Sequence, residues 1–250
     1  MKVILNILTH GDETVGLAVA KEIKKNKIEK GELVIHIANE LAYKNKKRFI
    51  DEDLNRAFPG KIDGNHEQKL AYKIFPLVKS ADIVIDIHST KSGLKNALIV
   101  TKLNNKTREY VNIINPKYLL LMSATKNNAL ISNAKVGIAF EYGHNKDTEA
   151  KQKIIYDIEK LLSYLGMISK KVRKSKNKTK WFNVYNTVPK EQSAKLLPNI
   201  KNYKLIKKNT TYALLSAEKI KASEDFYPIL FGEKSYKDIF GFAAKLMETD

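Results

Sequence analysis

Apolar and polar positions along the first two thirds of the chain switch repeatedly between two periods. Residues 3–8 form a short apolar run broken only by Asn6, which predicts a buried first strand. Directly after it Val15, Val19 and Ile23 recur at i, i+4 and i+8, one stripe of an amphipathic helix. Residues 32–38 read as a second strand, 66–79 as a helix, 82–88 as a strong strand and 136–140 as another. Ile154, Ile155, Ile158, Leu161, Leu162 and Leu165 mark a further helix. Such alternation predicts an α/β sandwich with a largely parallel or mixed sheet. Residues 39–64 are polar and lysine-rich, too long for a mere connector, and so form a candidate functional loop.

Near residue 170 the pattern changes to short segments rich in β-formers, such as 181–188 and 210–215. A boundary near 168 is expected, with an α/β domain over 1–168 and a small, mostly β domain over 169–250. Segments 101–135 and 170–200 carry no matching motif, and there is no internal repeat.

Composition narrows the class. With 250 residues and 43% apolar content the chain can bury a full core. No stretch approaches the roughly 18–20 apolar residues of a membrane helix. The first residues have the charge and apolar run of a weak signal peptide, but Asn6 and the polar residues from His10 interrupt it, so the segment reads as a strand. The absence of cysteine excludes disulfides, thiolate nucleophiles and Cys-based zinc sites, leaves His and carboxylates as ligands, and points to a cytoplasmic location. Nothing in the sequence sets the oligomeric state.

The formal charge is +18, and seven of the eleven residues over 170–180 are Lys or Arg, which would attract polyanions. Yet only Arg48, Arg56, Arg108 and Arg173 among the 45 basic residues are arginine, and lysines occur throughout, as a compositional bias produces. No nucleic-acid-binding motif accompanies them, so specific nucleic-acid binding is not expected. A basic binding module without catalysis stands as an alternative function.

Candidate chemistry sits where strands end. His10 and Glu13 lie at a strand-to-helix turn, where open α/β sheets build their sites, and can converge on one ion. The alternative is an exposed turn with a helix-starting acid. His88 ends an apolar strand and is the natural third ligand; two His and one carboxylate with an open fourth position make a catalytic zinc set. Asp86, on the same strand face, either orients an imidazole or caps a strand end. Two of the four arginines, Arg48 and Arg56, fall in the long loop, which suggests the planar fork that grips a carboxylate or polarises a carbonyl; loop ion pairs to Asp51, Glu52 or Asp53 are the alternative. Glu141 ends the 136–140 strand and could move a proton beside a metal, or be a structural strand-end acid. His144 reads as a solvated loop residue.

The order His10, Glu13, Arg48, Asn55, Arg56, His88, Glu141 resembles the succinylglutamate desuccinylase/aspartoacylase family, relatives of the zinc carboxypeptidases. Residues 9–16 resemble its zinc-binding turn, Arg48 with residues 53–56 its substrate-binding loop, residues 86–88 its third-ligand strand and residues 228–236 its C-terminal segment. The resemblance implies a three-layer α/β sandwich with a mixed central sheet, zinc carboxypeptidase-like, plus the small β domain. It implies one Zn²⁺ per chain on His10, Glu13 and His88, and Glu141 as general base and then acid. Arg48 would polarise the scissile carbonyl, Asn55 and Arg56 would hold a substrate α-carboxylate, and Tyr236 would lie near the substrate. The expected activity is cleavage of the amide bond of an N-acyl amino acid, a small molecule with a free carboxylate; a metallocarboxypeptidase acting on peptide C-termini is the near alternative. One departure stands out. Aspartoacylases that recognise a dicarboxylate place a further arginine shortly before the catalytic glutamate, whereas residues 127–140 hold only Lys135 as a basic residue.

Overall fold

The computed structural model describes residues 1–124, 128–171, 178–233 and 235–248. The chain opens with β1 (Lys2–Ile7), α1 (Val15–Ile23), β2 (Glu32–Ile37), the short α2 (Glu40–Lys44), α3 (His66–Ser80) and β3 (Ile83–His88). There follow β4 (Ala97–Val100), α4 (Asn105–Ile114), β5 (Tyr118–Met122), β6 (Val136–Glu141) and α5 (Thr148–Tyr164). Strands make up the rest: β7 (Lys180–Pro189), β8 (Lys195–Leu196), β9 (Thr211–Leu215), β10 (Glu218–Lys221), β11 (Tyr227–Ile229) and β12 (Ile239–Leu246).

Local chemistry explains the helix starts. Asn65 and Gln68 form a reciprocal capping box at α3. The Asp147 side chain accepts from Ala150 N at α5, and that of Asn104 from Thr107 N at α4. Helix α1 lacks a cap of its own: its first amide, Val15 N, donates to Asn145 Oδ1 from the loop after β6, 3.1 Å away.

Nine strands form one mixed sheet in the order β11-β12-β7-β5-β4-β6-β3-β1-β2. The pairs from β6 through β3 and β1 to β2 are parallel, β4 runs antiparallel to β6, and β11, β12 and β7 pair antiparallel. The two-residue period of the strands sorts side chains onto two faces. Val3, Leu5, Ile85, Ile87, Ile138 and Phe140 pack with α1, α4 and α5 on one face. Ile4, Val84, Ala139, Ile99 and Leu120 pack with α3 on the other. Helices on both sides of a mixed sheet make the expected three-layer α/β sandwich.

The chain after residue 168 is β-rich, and its strands divide. Strands β7, β11 and β12 extend the large sheet, while β8, β9 and β10 form a separate three-stranded sheet. A third apolar cluster, with Tyr212, Phe226, Phe231 and Phe240, lies beneath this segment. Of the basic run over 170–180, residues 172–177 lie outside the described residues. Among the described residues no helix is long and apolar enough to cross a membrane.

Candidate active site

The site grows from the ends of β1, β3 and β6. Strand alternation puts Asp86 and His88 on the α3 face, and in-register pairing of His88 with Glu141 puts that carboxylate beside them. The turn after β1 brings His10 and Glu13 to the same place. It is pinned from two sides: Gly11 N donates to Arg48 O at 2.9 Å, and Asn145 Nδ2 donates to Asp12 O at 2.6 Å. Gly11 is required by close approach, because a Cβ there would lie 2.3 Å from Tyr43 N of α2.

His10, Glu13 and His88 are each only 4% exposed. His10 Nδ1 lies 2.9 Å from Glu13 Oε1, and His88 Nδ1 lies 3.0 Å from Glu13 Oε2. One ligand atom from each of the three falls within 4.8 Å of the others, a group that could hold a metal ion. The opposite ring nitrogens are taken by carboxylates: His10 Nε2 donates to Asp53 Oδ1 at 2.9 Å and His88 Nε2 to Asp86 Oδ2 at 2.8 Å. With Nε2 carrying the proton toward each carboxylate, both Nδ1 atoms face Glu13 and are available to ligate. Asp86 is held in turn by Asn6 Nδ2 and Thr9 Oγ1, and Asn6 contacts His36 Nδ1 at 2.7 Å.

Electrostatics fit a cation. Burial would lower the His88 imidazole, but Asp86 and Glu13 raise it well above the ordinary value. Burial would raise Glu13, yet His10 and His88 hold its carboxyl well below the usual range. With the two imidazoles neutral, as ligation requires, Glu13, Asp53 and Asp86 outweigh the single charge of Arg48, and the hard oxygen and borderline nitrogen donors suit a divalent ion.

The 48–56 loop closes one side. Arg48 Nη1 donates to Glu13 Oε1 at 2.7 Å, and Nη2 lies 3.0 Å from His10 Nε2. The loop is shaped by Glu67 in the first turn of α3, which is fully buried. Its carboxylate accepts Ile50 N at 2.7 Å, Asp51 N at 2.9 Å, Glu52 N at 3.3 Å and Asn39 Nδ2 at 3.0 Å. Asn55 points Nδ2 toward His88 Nε2 at 3.3 Å while its Oδ1 accepts Leu130 N at 3.0 Å, tying the loop to the turn before β6. Arg56 is exposed at the rim, its guanidinium donating to Asn55 O.

Glu141 Oε2 is buried without a hydrogen-bond partner among the described residues. Burial pushes this carboxyl up to about 8, and the positive charge of His88 only partly offsets it. A divalent charge alongside would draw it down further. Two connected hollows meet here: an outer cleft of 460 Å³ bordered by Asp12, Ser89, Lys91, His144 and Lys237, and an inner chamber of 90 Å³. Arg48, Glu141, Leu230 and Tyr236 line both.

All eight residues singled out from the sequence, His10, Glu13, Arg48, Asn55, Arg56, His88, Glu141 and Tyr236, therefore border one connected space. Asp86 contacts the His88 imidazole, and His144 is exposed at the mouth. Asp53, Glu67 and Asn145 were not foreseen. Asp53 was legible only as an ion-pair partner of the loop arginines; Glu67 and Asn145 act through backbone groups distant in sequence, and no spacing announces them.

Comparison with known proteins gives the same answer. The family model for the succinylglutamate desuccinylase/aspartoacylase catalytic domain matches residues 2–164. A "Probable aspartoacylase" of Acaryochloris marina is 29% identical over 154 residues, 54% of this chain and 52% of that protein. An N-acyl-aromatic-L-amino acid amidohydrolase (carboxylate-forming) of Xenopus laevis is 28% identical over 127 residues, 44% of this chain and 41% of its own. The chain thus matches about half the length of these relatives. Among solved structures, murine aminoacylase 3 superposes with a TM-score of 0.83 at 17% identity, covering 99% of this chain and 95% of the other. The Rhodobacter sphaeroides succinylglutamate desuccinylase/aspartoacylase gives 0.78 at 15% identity, covering 99% and 86%. At those identities the structures speak to the fold, and the family model to descent: this chain belongs to the succinylglutamate desuccinylase/aspartoacylase catalytic-domain family.

Proposed function

We propose that this protein is a zinc-dependent amidohydrolase that cleaves the amide bond of an N-acyl amino acid. The observation that carries the reading is the meeting, at one cleft, of the buried His10, Glu13 and His88 group with Arg48 and with Glu141, whose Oε2 has no hydrogen-bond partner among the described residues. His10, Glu13 and His88 would hold Zn²⁺, which when bound polarises a carbonyl and lowers the pKa of a coordinated water from 15.7 toward about 7.

The chain's own residues supply the rest. Glu141, facing the ligand group from the end of β6, accepts the proton of the attacking water and passes it to the departing amine nitrogen. Arg48, fixed by Glu13 and the 48–56 loop, presents N–H donors to the carbonyl oxygen as it gains negative charge. Arg56 at the rim and the Asn55 amide hold the substrate's α-carboxylate, and the bond from Leu130 N keeps that amide turned inward. Tyr236 covers the space beside Glu141, its ring edge-on to Phe242 at 5.7 Å.

The test is amine release by the zinc-loaded protein from a panel of N-acetyl and N-succinyl amino acids, with C-terminal peptides in the same assay. About one zinc per chain, lost in His10→Ala and His88→Ala, is expected, with turnover of N-acyl amino acids above that of peptides. Absence of amine release, or full activity in Glu141→Ala, overturns the reading.

A further inference from the structure

The inner chamber has two unlike ends. Strand order sets its direction: it runs from β3, with Asp86 and His88, over Ala139 of β6 to Ile99 of β4, Met122 of β5 and Phe242 of β12. In-register pairing of Asp86 with Ala139, and of Ala139 with Ile99, makes this one row across the α3 face of the sheet. The wall opposite β6 is Ile131, carried on the turn Leu130–Asn133. That turn lies so close to β6 that a Cβ on Gly137 would fall 2.1 Å from Ile131 O. Ile99, Met122, Ile131, Leu230 and Phe242 are all at most 9% exposed, so this end is lined mainly by buried apolar side chains, with Thr101 beside them.

The chamber's arginines belong to the other end. Arg48 is bonded to Glu13, and Arg56 stands exposed at the rim beside Asn55. Lys135 lies elsewhere: its Nζ pairs with Asp82 Oδ1 at 3.2 Å before the start of β3, exposed at the opposite edge of the sheet. Among the described residues no cation borders the far end; residues 125–127, with Lys126, lie outside the described residues. With Arg56 engaged by an α-carboxylate, a second carboxylate reaching between Ile99 and Ile131 would be buried against apolar side chains, which such low-polarity surroundings strongly oppose.

We infer that the inner chamber selects N-acyl amino acids with apolar side chains, and that Ile131 is the residue that sets the preference against acidic ones. This rests on the deacylase reading. The chamber's 90 Å³ is shared between both ends, which limits a substrate side chain lodged at the far end to a few heavy atoms, such as those of leucine or methionine. The acyl group then extends into the outer cleft, whose larger opening places no comparable demand on it.

The experiment ranks kcat/KM of the zinc-loaded protein for the N-acetyl derivatives of L-leucine, L-methionine, L-alanine, L-aspartate and L-glutamate. Leucine and methionine derivatives are expected to exceed the acidic ones by about 100-fold and the alanine derivative by at least about tenfold. Ile131→Arg is expected to narrow the leucine-to-aspartate ratio by about tenfold or more. Should that variant fail to fold, Ile131→Ala serves: the enlarged wall is expected to raise turnover of the N-acetylphenylalanine derivative relative to the leucine one. Binding of L-methionine and L-aspartate to Glu141→Gln, followed by calorimetry, reads the same preference without turnover. Equal or greater activity on the acidic derivatives overturns the inference while leaving the deacylase reading intact. Failure to hydrolyse any N-acyl amino acid overturns both.

Discussion

The two ends of the inner chamber are built on different principles. At the ligand end nearly every side chain is fixed by a charged or polar contact of 2.7–3.0 Å, such as Arg48 with Glu13 and His88 with Asp86. At the far end Ile99, Met122, Ile131 and Phe242 come from three strands and a turn and are placed by burial alone. Hydrogen bonds position atoms sharply because their energy falls steeply with distance and angle, whereas apolar packing responds to volume. On the proposed reading, chemistry concentrates at the first end, and selection by size and polarity at the second. Changes at the ligand end should damage rate, and changes at the far end should redistribute substrates.

The severest break in this contrast is loss of the metal. Chelation or His88→Ala is expected to abolish amine release, and restoring zinc should rescue the chelated wild type but not the variant. Zinc held at about 100 times its dissociation constant stabilises by about 2.7 kcal/mol, so chelation should lower Tm by roughly 5–10 °C. Next comes Glu141→Gln, expected to cut kcat by about 10²- to 10⁴-fold with zinc content and fold unchanged. Since Glu141 Oε2 has no hydrogen-bond partner among the described residues, an amide of the same shape costs little stability. A comparable loss of stability would instead mark it as a structural acid.

Glu67→Gln sharpens the comparison, because it acts on the ligand end from a distance. Removing the charge that collects three backbone amides and Asn39 should cost about 1.5–3 kcal/mol and lower kcat/KM as Arg48 and Asp53 lose their fixed loop. Urea denaturation and kinetics together check it; unchanged kinetics in the folded variant would free the loop from this role. The smallest effect is expected for Lys135→Ala. Its exposed ion pair with Asp82 is worth about 0.5 kcal/mol or less, and substrate ranking should not move. A shift toward apolar substrates in that variant would mean that Lys135 reaches the chamber after all.

Periodicity placed β1, β3 and β6 to within about a residue, because buried strands are nearly continuous apolar runs, and β2 as well, although it lies half-buried at the sheet edge. Strand β4 and turn Leu130–Asn133 escaped notice, being short and lying beside or within a segment without a motif. The change of character near 168 was visible, but not that β7, β11 and β12 join the large sheet; strand pairing partners leave no mark in local pattern.

The sequence by itself determined the alternation of strands and helices, the donor types available without cysteine, and the short-range pairing of His10 with Glu13. These depend on residues close along the chain or on composition. Only the tertiary structure decided that Asp53 and Asp86 hold the outer ring nitrogens, that Glu67 gathers the 48–56 loop, and that Ile131 walls an apolar chamber beside Glu141. Apart from Asp86, two residues from His88 on one strand, those relations join residues up to 43 positions apart through side-chain contacts, backbone groups and shared volume, which exist only once the sheet is assembled.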